Sequence, residues 1–271
     1  MLILVFVFAM VLAIVTPLIQ RSRHAARRVG CEHNLKQLAL AAANYEAVHG
    51  VFPSGGYGTL DPVTGERQWG FSMIVPMLPY IEKNVFYYCL NLDLGPHHQA
   101  SRTVTGFPIS YVWCPADPTV SNPVRFNSNA SLGSWTQTYS SYGGVAGIFG
   151  LDLHPSDAQF ATRRVTLGGM IFPESSTRLA DVTDGAPNTL LFGEHTHGAL
   201  PANVRDSYHW WHSGHWNDNL IETRFTVNAS LPWPLAAHLR AMNLSSPHPG
   251  GANVVMVDGS IHFIKDTINS W

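Results

Sequence analysis

The sequence predicts an α+β fold, with a long N-terminal helix packed on a mainly antiparallel β-sheet domain that carries long loops. Three observations point there. Seventeen of the first nineteen residues are apolar. A helical stripe of Leu35, Leu38, Ala42 and Tyr45, widened by Ala39 and Val48, follows at spacings of three and four. From residue 51 onward, short apolar runs are punctuated by glycine and proline with no strand–helix alternation, which excludes a doubly wound parallel sheet.

The first element runs from Met1 to Val15 without a polar residue, and Leu18 and Ile19 extend it past Thr16 and Pro17. As a helix these residues span roughly 28 Å, close to the ~30 Å hydrocarbon core of a bilayer. A cleaved secretory signal would be shorter, with a basic start and a small-residue cleavage site. A buried core helix would need the rest of the chain to wrap it on every side, so a transmembrane segment is the expectation. Proline is tolerated inside such helices. An arginine cluster (Arg21, Arg23, Arg27, Arg28) and a soft point at Gly30 lead into the stripe, and Gly50-Val51-Phe52-Pro53 supplies the stop. The division is residues 1–50 as one helix of about 75 Å, and 51–271 as the body.

Only 13% of the 271 residues are charged against 45% hydrophobic, so the chain is no disordered polymer. A net charge of −2 leaves no nucleic-acid footprint. Cys31, Cys89 and Cys114 are too few for a disulfide-built scaffold and form no C-x-x-C pair. In the body, the expected strands are 110–114, 139–145, 169–172 and 189–194, with a short helical patch over 71–88 and long loops at 90–106, 115–135 and 195–245. The C-terminus reads as a hairpin of 253–257 and 260–264, closed by Asp258-Gly259 as a two-residue turn.

Two residue sets suit a ligand. His209, His212 and His215 recur every third residue among Trp210, Trp211 and Trp216, and imidazoles suit zinc, copper or nickel. The alternative is an exposed aromatic loop that stacks on partners or sugars. Asp181, Asp184, Asn188 and Glu194 offer oxygens that suit calcium, without the spacing of an EF-hand loop. Their alternative is a turn closed by Asp184-Gly185 and capped by Asn188. No G-x-S-x-G elbow, Walker loop or dinucleotide fingerprint is present, so no catalytic residue and no organic cofactor is expected.

Several segments carry a family likeness in chain order. They are Thr16-Pro17-Leu18-Ile19-Gln20, Ala25-Ala26-Arg27-Arg28, Cys31, Asn34-Leu35-Lys36-Gln37, Pro79-Tyr80-Ile81-Glu82, Trp113-Cys114-Pro115-Ala116-Asp117, Asp184-Gly185 with Asn188-Thr189, Gly193-Glu194, and His248 with nine residues before Asp258-Gly259. The chain resembles the bacterial prepilin-like domain-of-unknown-function 1559 family, which combines a type IV pilin-style N-terminal helix with an H-X9-DG signature. In a straight strand, nine residues would separate His248 from Asp258 by roughly 30 Å, so the signature is expected to mark the fold rather than a catalytic or metal pair.

The resemblance implies a pilin-like fold and a non-enzymatic cell-envelope protein, subunit or accessory of a type IV pilus-like or type II secretion-like assembly. It places the chain as a single-pass inner-membrane protein with an extracytoplasmic C-terminal domain, joined to like or unlike subunits through the N-terminal helix. Calcium-bound loops in some pseudopilins lend weight to the Asp181 set. Cys31 and Cys114 fall at family-matched positions, where a bridge between them or two buried thiols fits equally. In the family a basic leader and a Gly-Phe-Thr-Leu-Ile-Glu processing site precede the apolar run. Met1 stands where the residue after that glutamate belongs, so the start lies upstream or processing is lost. The alternative function is a membrane-tethered module that holds a solute, glycan or metal through the His/Trp loop.

Overall fold

The computed structural model describes residues 2–60, 67–129, 133–147, 168–229 and 240–268; side chains are not described at Leu2, Leu4, Val7, 59–68 and 126–133. Helix α1 (Leu2–His49) is unbroken through Pro17 and Gly30. It stops where the Gly50 N–H bonds back to the Glu46 carbonyl at 2.7 Å and Gly50 turns left-handed at φ +73°. Its C-terminal half presents one buried face of Cys31, Asn34, Leu35, Leu38, Ala39, Ala41 and Ala42. That face matches the expected stripe except at Tyr45, which is half-buried, and Val48, which is exposed. Gly30 is a packing site rather than a soft point: a Cβ there would stand 3.1 Å from Pro115 Cγ, so glycine lets the helix close on the Cys114-Pro115 loop.

This face lies on a five-stranded sheet in the order β7-β5-β6-β8-β9. The strands are β5 (Tyr142–Gly147), β6 (Leu190–Glu194), β7 (Leu220–Glu222), β8 (Gly251–Met256) and β9 (Ile261–Lys265). Every pairing is antiparallel except β5 with β7, which makes the sheet mixed. All six β5 residues are buried, and a Cβ on Gly144 would come within 2.6 Å of Ile171, so both faces of the strand are closely covered. Two hairpins flank the sheet: β1 (Gly56–Leu60) with β2 (Arg67–Ser72), and β3 (Val124–Asn129) with β4 (Gly133–Thr138).

Neither hairpin is expected from the sequence, because their strands are rich in Gly, Ser, Asn and Thr and their apolar alternation covers only two side chains, Trp69 and Phe71 in β2 and Val124 and Phe126 in β3. The strand expected at 110–114 is instead a 3-10 turn, Ser110–Val112, leading into extended backbone. The one expected at 169–172 is a single bridge at Gly168 plus an Ile171 N–H bond to the Val145 carbonyl, because the segment crosses β5 rather than extending the sheet. The expected helical patch is three short pieces over 74–88. The C-terminal turn also differs. Gly259 N–H bonds to Met256 O and Met256 N–H to Ser260 O, each at 2.9 Å, enclosing three residues with only Gly259 at positive φ. This is a type I turn with a glycine bulge, the next commonest hairpin after the two-residue loop.

Leu38 is fully buried between α1 and the body. Leu38→Ala is expected to lower unfolding free energy by about 2–5 kcal/mol, read from urea unfolding; a loss below about 1 kcal/mol contradicts this packing.

Candidate functional site

The helix and the sheet are joined at one buried cluster. Cys31 on α1 is disulfide-bonded to Cys114, which decides between the bridge and two thiols. Cys89 is a free, exposed cysteine. His248 Nε2 stands 3.9 Å from Cys114 Sγ and 3.3 Å from Glu194 Oε1. Asn253 holds the Glu194 carboxylate with its backbone N–H at 2.9 Å and its side-chain amide at 3.0 Å. Two further bonds hold the helix. The Tyr142 hydroxyl donates to the Cys31 carbonyl at 3.2 Å, and the Asn34 amide donates to the Trp113 carbonyl at 2.7 Å. Burial pushes the Tyr142 phenol well above its ordinary value, so it stays a donor. Asp117, three residues past Cys114, accepts bonds from Thr119, Gly198 and Ser141 and ties this loop to β5 and β6.

The oxygen set is not gathered. Asp181 pairs with Arg178 at 2.8 Å, and the guanidinium holds its carboxyl below the ordinary range. The Asn188 amide donates to the Asp184 carbonyl at 3.0 Å, the capped turn that was the alternative reading. Glu194 is in the core beside His248, because β6 alternation turns it inward. Among the described residues, the one group of three or more His, Cys, Asp or Glu donors lying mutually within 4.8 Å is Cys31, Cys114, Glu194 and His248.

The three histidines also separate, because 209–215 is a turning loop and not a helix. His209, at φ +67°, stacks on His195 with ring centroids 4.0 Å apart. His212 meets His97 edge-on, and His215 lies against Trp69 and Asn217. Trp210, Trp211 and Trp216 are buried, so the exposed aromatic loop is replaced by core. His209 Nε2 donates to the Ala241 carbonyl at 2.8 Å, leaving Nδ1 bare, and neither His197 nitrogen has a partner. Desolvation holds His195, His197 and His212 well below the ordinary value and brings His209 to about 4. Nearby Asp218 is raised by burial to about 7.

Two surface features complete the picture. At the C-terminal end of α1, a pocket of about 410 Å³ is lined by Tyr45, His49, Tyr57, Phe71, Tyr80 and Tyr87 among others. The Tyr57 hydroxyl accepts from the Ser54 N–H at 3.1 Å and meets the Tyr45 hydroxyl at 3.4 Å. This pocket is not legible in the sequence because its tyrosines come from α1, β1, the 3-10 turn Leu78–Ile81 and the short helix Asn84–Tyr88 and share no local spacing. At the other end, α1 projects from the body with eleven large apolar side chains from Ile3 to Ile19 exposed, Ile3 at 80% and Phe6 at 72%. Among the described residues no helix is long and apolar enough to cross a membrane. The segment read as a span begins at Met1, which with the side chains of Leu2, Leu4 and Val7 lies outside the described residues.

Over residues 20–270 the chain matches the family described as a protein of unknown function, DUF1559 (SBP_bac_10). The chain belongs to this family. No curated protein and no solved structure matches it. In this DUF1559 protein the dispersed motif residues Cys31, Cys114, Glu194 and His248 meet at one point. His248 of the H-X9-DG signature is buried there, whereas Asp258 is exposed at the turn and bonds Ser260.

The buried histidines set a pH dependence. In the unfolded chain they bind protons near pH 6.5, but His209 does so only near 4 when folded. Between those values the unfolded state holds more protons, so stability falls on acidification. Asp218 acts in the opposite sense: from its unfolded 3.8 up to about 7 the folded state keeps the extra proton, a contribution lost as pH rises. Four histidines, His195, His197, His209 and His212, outweigh one aspartate. Unfolding free energy is expected to drop by roughly 3–4 kcal/mol per pH unit just below pH 6, and His209→Asn is expected to flatten the slope. Urea unfolding from about pH 5 to 7.5 tests this; a flat profile or one rising toward acid contradicts it.

Proposed function

We propose that this chain is a non-enzymatic, helix-anchored cell-envelope protein of pilin-like design, whose projecting apolar half of α1 is covered by the inner membrane or by like helices in an assembly. The observation that carries this is the division of one continuous helix into a half clamped to the body and a half with its apolar side chains uncovered. At ~1.5–3 kcal/mol for each buried side chain, leaving eleven of them in water forgoes roughly 15–30 kcal/mol, more than the ~5–15 kcal/mol that stabilises a typical domain. Such a surface needs a cover. Arg21, Arg23 and Arg27, exposed just beyond it, suit the headgroup level. On this reading the body is extracytoplasmic, where the Cys31–Cys114 bridge persists, and no nucleic acid is a partner.

A second reading, a membrane-tethered binding module, is favoured by the tyrosine-lined pocket, whose 410 Å³ falls within the range of small-molecule sites. Both readings need the anchor and differ in what it serves.

The full chain, expressed in a bacterial envelope, is expected to stay with membranes through alkaline washing. The double substitution Val11→Arg, Ile14→Arg is expected to release it, since each arginine costs about 2.5–3.5 kcal/mol at mid-bilayer. Recovery of the unsubstituted chain in the aqueous wash overturns the anchor. In the retained fraction, a methylated, processed N-terminus found by mass spectrometry favours the assembly subunit, and an unprocessed one favours the tethered module.

A further inference from the structure

We infer that Cys31, Cys114, Glu194 and His248 form, once the disulfide is reduced, a buried four-donor site for one zinc-class divalent ion. The four donor atoms lie mutually within 4.8 Å and all four residues are buried. A tetrahedral zinc ion with sulfur at ~2.3 Å and nitrogen or oxygen at ~2.0–2.1 Å places its donors roughly 3.3–3.8 Å apart. The 3.3 Å between His248 Nε2 and Glu194 Oε1 meets that spacing, and the 3.9 Å between His248 Nε2 and Cys114 Sγ lies just outside it. The two sulfurs must part to about 3.8 Å, and the wider pairs of the set, at up to 4.8 Å, must close.

The surroundings suit a ligand set. Asn253 donates to both Glu194 oxygens and fixes the carboxylate's aim, as outer-shell groups do around metals. Among the described residues, His248 is the one ion-pair partner of this buried carboxylate. A divalent ion would place positive charge directly against this buried carboxylate. Cysteine, histidine and carboxylate together match zinc rather than calcium or magnesium.

The chemistry balances with a dithiol reductant. Its thiolate attacks the Cys31–Cys114 bond through a mixed disulfide and leaves as its own disulfide, passing two electrons and two protons to the protein thiols. Zinc then displaces both thiol protons to solvent and binds two thiolates, one carboxylate and one neutral imidazole. The covalent clasp between α1 and the body is thereby exchanged for a metal clasp at the same four residues.

The test uses the full chain, reduced with a phosphine that does not bind the metal and titrated with Co²⁺ as a spectroscopic probe before displacement by Zn²⁺. The expected result is one ion per chain with thiolate-to-cobalt absorption, absent from the oxidised chain, and a higher melting temperature for the reduced chain in Zn²⁺. His248→Ala and Glu194→Gln are each expected to weaken binding by at least about tenfold. Absence of thiolate-to-cobalt absorption in the reduced chain overturns the proposal, as does metal uptake unchanged in Cys31→Ser, Cys114→Ser. Loss of near-UV circular dichroism on reduction that Zn²⁺ does not restore overturns it too, because a site of this kind contributes its binding energy to folding.

Discussion

A helix of 48 residues, about 72 Å at 1.5 Å per residue, with one half standing clear of the body, behaves as a lever. Whatever holds its lower half must resist forces applied to its upper half. The clasp at Cys31 does this with several kinds of interaction in one place. Closing the 83-residue separation between Cys31 and Cys114 removes about 4–5 kcal/mol of loop entropy from the unfolded chain. Tyr142 and Asn34 add directional bonds to the same stretch of helix and loop, and Gly30 lets the backbones approach. Leu35 and Leu38 bury apolar surface just above. Three parts of the sheet reach this point: β5 through Tyr142, β6 through Glu194, and the approach to β8 through His248.

Around the clasp, the protein hides an unusual amount of polar matter. His195, His197, His209 and His212 are enclosed, with ring nitrogens left bare, and Asp117, Asp218 and Glu222 are buried as well. Stacked neutral imidazoles fill space as flat aromatic groups and forgo hydrogen bonds that are worth having. The consequence is a core whose integrity depends on those rings remaining uncharged. Near-neutral pH permits that, and acid erodes it.

The long helix was legible because two periodicities, an apolar run followed by a stripe, are local properties of the chain. The β8–β9 hairpin was legible because Asp258-Gly259 stands between two apolar strands, although Gly259 alone takes the left-handed conformation and the loop is one residue longer. The polar hairpins β3–β4 and β1–β2 were not, since cross-strand pairing and not composition makes them strands. The ligand sets drawn from spacing dispersed for a related reason: Glu194 is only six residues from Asn188, but β6 carries it into the core. The cluster that did form joins residues 31, 114, 194 and 248, whose meeting depends on the whole topology. Its members could be noticed singly as motif residues, and only the fold brings them together.

Helix α1 is clamped in its second half and uncovered in its first. Hydrogen exchange of the full chain, in lipid nanodiscs and after transfer to a lipid-free mild detergent of short tail, measures both halves at once. Amides at 34–45 are expected to be protected to the level of global unfolding in both settings, and those at 3–19 to gain strong protection in the bilayer. Rapid exchange at 34–45, or equal protection of 3–19 with and without lipid, would contradict it.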